Sequence, residues 1–295
     1  MADSNATAAV AKKEKTATPL QKFNNVILGD YAQNYLKNVL GEKKSSFVNN
    51  LVSLVSNDKA LQECVPATVM FAGLKATSLG LPLDNNLGFA YVIPFKDNKA
   101  GNTVATFMMG YKGIVQLAIR SGQFQTINVT DVREGELKSR NRMTGEVDVE
   151  WIDDDAIRAK LPIIGYIGYF KLLSGYSKTT YWSVEDLKQH GVKYSKTYKF
   201  GKGVWNDNFD AMARKTVLKL MLNKGDAPMS VEMQEAIKYD QSVILDEQGT
   251  HRYVDNEKPT EQEKLDAILE AEKKIEDAEV IDIEYSDSGE IAFDK

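Results

Sequence analysis

One cysteine, Cys64, occurs in 295 residues, so no intramolecular disulfide can form and a reducing cytoplasm is the expected setting. Beside Val65, in apolar company, Cys64 reads as a small buried residue. There are only two histidines, His190 and His251, far apart in the chain. With a single thiol they are too few for a structural or catalytic zinc site. No apolar run approaches the ~20 residues of a membrane span, so no membrane partner is expected. The first 18 residues hold no apolar core of signal-peptide length. A Gly-x-x-x-x-Gly-Lys-Ser/Thr string is missing, and Gly201-Lys-Gly203 is too short to stand in for it. No Gly-x-Ser-x-Gly elbow exists either. Nucleotide hydrolysis and serine acyl transfer therefore have no motif to rest on.

What is present is ordinary globular composition, 43% hydrophobic and 27% charged. The formal net charge of −5 argues at first against a polyanionic partner, but it is unevenly spread. Between Asp246 and Lys295 there are 17 acidic and 6 basic residues, a balance of −11 that leaves residues 1–245 with +6. A mildly basic body with an acidic tail differs from a uniformly acidic protein. The division expected is a disordered N-terminus (1–18), a core (19–244), and an acidic linker with a small helical tail (245–295).

The chain is organised around Leu81–Gly122. Phe89–Phe95 and Thr103–Met109 read as two strands joined by a Gly- and Asn-containing turn, a β-hairpin. Pro94 cannot donate to a ladder, which makes the first strand an edge or irregular. A helix follows, with Tyr111, Ile114, Leu117 and Ala118 on one face and Lys112, Gln116 and Arg120 on another, stopped by Gly122. Gly110 and Gly113 leave room for a backbone or a phosphate to come close. Before this lie three helical stretches, Leu20–Leu40, Ser45–Leu61 and Pro66–Leu79. After it, Phe124–Val132, Glu146–Ile152, Ile163–Leu173 and Ser177–Trp182 read as strands of an antiparallel sheet, because each connection is short. Ser183 caps a short helix ending near Gly191. The fold class is thus α+β, an antiparallel sheet with a β-hairpin and flanking helices, and a flexible acidic C-terminal tail.

Residues 190–203 are the most basic segment. Lys193, Lys196, Lys199 and Lys202 recur every third residue, with Tyr194, Tyr198 and Phe200 interleaved and no acid among them. Glycine and serine content predicts a loop. Lysine runs are commonly just solvated surface; interleaved aromatics favour a surface that meets phosphates and bases. Trp205 then precedes a long helix, Asn208–Lys224, whose Arg214, Lys215 and Lys219 are expected on an outer basic stripe lining a DNA groove. Ser230–Tyr239 is a last body helix and Gly249–Pro259 a polar linker. In the tail, Thr260–Glu263 is a capping box, and Leu265, Ile268, Leu269 and Ile275 give one apolar stripe that would suit a partner's groove or merely accompany a solubilising acidic segment.

Two strings, Phe89-x-Tyr-Val-Ile-Pro-Phe with Met108-Met-Gly-Tyr-Lys-Gly-Ile-Val-Gln-Leu-Ala-Ile-Arg-Ser-Gly122, and Trp205 followed by Ala211-Met-Ala-Arg-Lys-Thr-Val-Leu-Lys219, resemble the RecT family of phage single-strand annealing proteins. The resemblance implies ATP-independent annealing of single-stranded DNA in recombination, a homo-oligomer forming rings or filaments on single strands and annealed duplex, and co-operation with a phage exonuclease and a host single-strand-binding protein. It implies a divalent-cation (Mg2+) dependence with no ligands assignable here, and no other cofactor. The bacterial host cytoplasm would be its setting.

The DNA-binding candidates are Lys112, Arg120, Lys193, Lys196, Lys199, Lys202, Arg214, Lys215 and Lys219, with Tyr198 and Trp205 as aromatics and Arg133, Arg140 and Arg142 as weaker additions. Trp205 could equally be core. Two other readings compete. A non-annealing replication accessory or scaffold would carry the same cations. A metal-dependent nuclease would need carboxylates converging on a cation. Asp131 with Glu136-Leu-Lys138 is its nearest match, at too short a spacing, and Asp153-Asp-Asp155 reads better as an acidic turn. No catalytic or metal residue is assigned.

Overall fold

Thr18 opens the first helix with a reciprocal capping box to Gln21, and Pro19 occupies the first helical position, where no amide proton is needed. The computed structural model describes residues 17–97, 100–224 and 227–253. The chain from Leu20 to Leu40, expected as one helix, is two: α1 (Pro19–Ile27) and α2 (Asp30–Leu40). Gly29 separates them in an extended conformation and serves as the N-cap of α2. Glycine inside a helix costs about 1 kcal/mol relative to alanine, so a break here is inexpensive, and the apolar spacing on both sides conceals it. In the same way Asp58 ends α3 (Lys44–Asn57) by capping α4 (Lys59–Gln62) through two backbone amides. α5 (Pro66–Ser78) is buried on nearly every side, as a helix apolar all round must be.

The hairpin forms as read. β1 (Ala90–Asp97) pairs antiparallel with β2 (Asn102–Met109), from Ala90 opposite Met109 to Asp97 opposite Asn102. β1 is the sheet's edge, which is where Pro94 can sit without losing a ladder bond. α6 (Tyr111–Arg120) follows at once. β3 (Phe124–Arg133) then leads into a feature the alternation did not foretell. The charged stretch after it forms β4 (Leu137–Arg140), which pairs with β5 (Val147–Val149) in a separate two-stranded ribbon. Gly135, at positive φ, turns the chain out of β3, and the buried Glu136 anchors the turn. The strand expected over 146–152 is therefore short and stands outside the sheet.

α7 (Asp155–Arg158) returns the chain to β6 (Ile163–Leu172) and β7 (Ser177–Ser183), which complete an antiparallel sheet in the order β3-β6-β7. α8 (Val184–Tyr194) is capped by Ser183 with Asp186. The basic segment is largely helical rather than a loop. α8 runs on to Tyr194, and the Ser195 hydroxyl then accepts from the Tyr198 amide to start α9 (Lys196–Lys199). α10 (Val204–Asp207) holds Trp205, and α11 (Phe209–Asn223) is the long second-signature helix, capped by Asn208.

α12 (Val231–Tyr239) precedes β8 (Ser242–Ile244) and β9 (His251–Tyr253). β8 pairs with β2 at Phe107 and with β9, extending the hairpin to a four-stranded sheet β1-β2-β8-β9. The folded body thus reaches past 244 into what reads as linker. Three-residue strands carry too few alternations to announce themselves. Ala213, Val217, Leu218, Met221 and Leu222 of α11 join the principal core with Phe107, Leu117 and Phe170. Gly168 of β6 makes room for this helix, since a Cβ there would sit 3.0 Å from Val217 Cγ1 and 3.1 Å from Met221 Sδ. No helix among the described residues is long and apolar enough to cross a membrane. The N-terminal segment 1–16 and the tail, with Leu265, Ile268, Leu269 and Ile275, lie outside the described residues.

Candidate nucleic-acid interface

The two strings that carry the family resemblance meet at one cleft. The turn from β2 into α6 (Met108–Lys112) forms one wall together with Tyr91 and Ile93; Val204, Asn208, Ala211 and Arg214 form the other. The cleft encloses about 460 Å3 and its walls are mainly apolar, a nucleotide-sized space. Gly110 and Gly113 explain how the first wall is built. A Cβ on Gly110 would collide with the Gly88 carbonyl oxygen, and one on Gly113 with that of Phe89. The close approach these glycines permit is that of the chain's own backbone, fixed further by the Gly110 amide donating to Phe89 O at 2.9 Å.

Below the cleft lies a buried ionic knot. Asp240, fully enclosed, accepts from Lys215 Nζ at 2.9 Å, Lys219 Nζ at 2.7 Å and the Met109 amide at 2.9 Å. Burial pushes its carboxyl upward, but the two ammonium groups prevail and draw the pKa down to about 2. Lys215 is accordingly an interior residue, 4% exposed, and not part of an outer stripe. The i, i+4 spacing that groups it with Lys219 is sound; both point towards Asp240, a partner 25 residues further along the chain in the case of Lys215. Lys219 keeps partial exposure.

Arg214 is also engaged. It donates to Asp210, to Asp131 Oδ1 at 2.8 Å and to Val129 O at 3.0 Å, tying α11 to β3 while one side still faces the cleft. Asp131 further accepts from Arg133 Nε at 2.7 Å, and Arg133 donates to Leu161 O. Arg158 donates through Nε to Glu136 Oε1 at 2.6 Å. Burial raises both carboxylates, yet the guanidinium groups of Arg133 and Arg214, and of Arg158, hold Asp131 and Glu136 below their ordinary range. These are the carboxylates a nuclease would need free. They are instead neutralised by arginines, Lys138 pairs with Glu150, and Asp154 caps α7. Among the described residues no group of three or more His, Cys, Asp or Glu is placed to hold a metal ion.

The remaining candidates divide. Lys112 is exposed on the cleft rim. Arg120 stands at the far end of α6, where its guanidinium donates to Leu79 O at 2.6 Å. Lys193, Lys196, Lys199 and Lys202 are exposed around α8 and α9, with Phe200 bare among them. Trp205, 6% exposed, is core; Tyr198, Phe209 and His190 surround it, with ring centroids 5.6, 5.7 and 6.4 Å away. Tyr198 lies over Gly191, where a Cβ would be 2.8 Å from its ring. Arg140 and Arg142 sit on the β4–β5 ribbon, away from the cleft. Sequence reasoning passed over Tyr91 in the cleft, and over Arg158, Lys178 and Lys224, which stand alone among neutral or acidic neighbours and form no run.

The cleft thus joins two distant strings, with mainly apolar walls that include Tyr91 and Tyr111, and with exposed Lys112 at its rim. Comparison with known proteins gives the class. The RecT family model matches residues 45–261. A protein of Bacillus subtilis (strain 168), named "Uncharacterized protein YqaK", is 36% identical over 239 residues, 76% of this chain and 78% of the relative. Protein RecT of Escherichia coli (strain K12) is 28% identical over 188 residues, 63% of this chain and 67% of the relative. The chain belongs to the RecT family. Membership supports a general role in DNA recombination and strand annealing.

Proposed function

We propose that this protein anneals complementary single strands of DNA without ATP, binding the phosphate backbone independently of sequence and acting as a homo-oligomer. The observation that carries the reading is the shared cleft: Met108–Lys112 and Val204–Arg214, about a hundred residues apart, build one nucleotide-sized groove inside the family match. Base pairing and stacking supply about 1.4 kcal/mol per step. The protein has to reduce phosphate repulsion and present bases, and no bond of the DNA need be broken. Lys112 on the rim, and the outward lysines of α8 and α9, serve the first task. Tyr91, Tyr111 and Met108 offer the apolar surface for the second.

A phage exonuclease and a host single-strand-binding protein are the proposed partners, with the acidic tail as their contact. A divalent cation is proposed to assist by acting between phosphates of the paired strands. The test is a fluorescence annealing assay with two complementary oligonucleotides and no nucleotide cofactor. Acceleration over the spontaneous rate is expected, with labelled DNA left uncut in magnesium. DNA binding without acceleration would instead indicate an accessory or scaffold role.

A further inference from the structure

The cations near the cleft are mostly committed to carboxylates: Arg133, Arg158, Arg214, Lys215 and Lys219 all sit in ion pairs. A second concavity, of about 500 Å3, is built differently. It lies between the β4–β5 ribbon, β7 and the end of α11, and shares no lining residue with the cleft. Arg140 and Arg142 reach it from the ribbon, Lys178 from β7, and Lys224 from the residue that closes α11. Among the described residues, no carboxylate is within ion-pair distance of Arg140, Arg142 or Lys224.

Two of these cations, Arg140 and Lys224, are held by aromatic faces instead. The Arg140 guanidinium carbon lies 4.5 Å from the Tyr181 ring centroid, and Lys224 Nζ lies 5.5 Å from that of Trp182. A ring positions a cation without cancelling its charge towards a further ligand. The two acids of the lining are occupied locally. Asp186 accepts from the Ser183 hydroxyl at 2.7 Å as part of a capping box, and Glu146 accepts from Thr144 Oγ1 at 3.0 Å. What results is a nucleotide-sized concavity with positive charge from Arg140 and Arg142 on the ribbon and Lys224 at the end of α11, none of them paired with a described carboxylate, which suits a run of phosphates.

We propose that this concavity is a second contact for the sugar–phosphate backbone of the DNA strand that enters the cleft. The inference rests on the annealing reading for the identity of its ligand. α11 connects the two sites, since Arg214 faces the cleft and Lys224 the concavity. Ten residues of helix separate them, about 15 Å along the axis, a distance a few nucleotides span.

The experiment uses the full chain with Arg142→Ala and Lys224→Ala combined, both sites being exposed, and a labelled oligo(dT) titrated by fluorescence anisotropy over a salt series. Two lost phosphate contacts should make the slope of log K against log salt shallower by about 1.4. The charge-keeping pair Arg142→Lys and Lys224→Arg should retain the wild-type slope. An unchanged slope in the alanine pair overturns the proposal. So does a slope lost equally in the charge-keeping pair, which would mean the residues act by shape. Tighter binding by the alanine pair would mean that an acidic segment fills the concavity, and would overturn it as well. Wild-type protein that binds oligo(dT) but fails to anneal would remove the annealing reading while leaving this contact intact; wild-type protein that does not bind would remove both.

Discussion

Lys215 Nζ and the Met109 backbone amide donate to the same oxygen, Asp240 Oδ1, each at 2.9 Å. One carboxylate therefore joins the second-signature helix to the end of the hairpin and sets the spacing of the two cleft walls. Replacing one partner of a buried pair typically costs about 3–5 kcal/mol. Lys215→Ala is expected at the lower end of that range, because Lys219 still reaches Asp240. Urea denaturation measures it. The same pair gives an acid dependence. A carboxylate whose folded pKa is about 2 contributes stability that is present above the ordinary value of 3.8 and is lost as pH falls through the folded one. Loss of DNA binding by Lys215→Ala should track loss of fold, and at temperatures where the variant is folded its salt slope should equal that of wild type.

Gly110 and Gly113 give a prediction of opposite kind, overfilling instead of emptying. A methyl group at either position meets a carbonyl oxygen of the chain's own Gly88–Phe89 segment, which is backbone and cannot rotate aside. Overpacking of this sort costs about 1–3 kcal/mol and occasionally more. Gly110→Ala and Gly113→Ala should each lower the melting temperature in a thermal scan. Gly122→Ala, where no neighbour is near, should lose only the smaller strain of its positive φ.

Legibility in the sequence followed the range of the interactions. The hairpin, α6, α11, and the capping of α8 by Ser183 were readable because each is written in local spacing: alternation, the 3-4-7 pattern, or a serine before acids. The split at Gly29 and the ribbon of β4 and β5 were not. One depends on a single glycine inside an intact apolar pattern, the other on Arg158 reaching back to Glu136 from 22 residues away. The site shows the same division. That Lys215 and Lys219 share a face is local and was visible. That Asp240 claims them both is not, since an aspartate 21 residues beyond Lys219 has no periodic relation to it. The concavity escaped for a similar reason, as Lys178 and Lys224 stand apart in the chain and only the fold sets them near Arg140.

His190 should confer a pH dependence on the region behind the cleft. Its ring is packed 4.4 Å from that of Tyr194, and burial lowers its pKa from 6.5 to about 4, helped by Lys219 and Lys193. The folded state therefore favours neutral imidazole. Between about pH 4 and 6.5 the unfolded chain binds more protons than the folded one, so stability is complete above 6.5 and declines as pH falls through that window. Melting temperatures measured from pH 7 down to 4.5 should drop more in wild type than in His190→Phe. Parallel curves for the two proteins would assign the acid sensitivity elsewhere.

Lys112 tests the cleft itself. It is exposed on the rim, lies at the start of α6, and forms no ion pair among the described residues, so its removal should leave stability within about 0.5 kcal/mol of wild type. If its ammonium meets a phosphate, Lys112→Ala should weaken oligo(dT) and mixed-sequence strands to the same degree and reduce the salt slope by about 0.7. Tyr91→Ala, on the same wall, removes an aromatic face and no charge. It should weaken binding while leaving the salt slope as it was, because stacking releases no counterions. Anisotropy titrations of the two variants side by side separate a charge contribution from a base contribution within one groove. An effect of Lys112→Ala confined to one sequence would contradict backbone recognition at this rim.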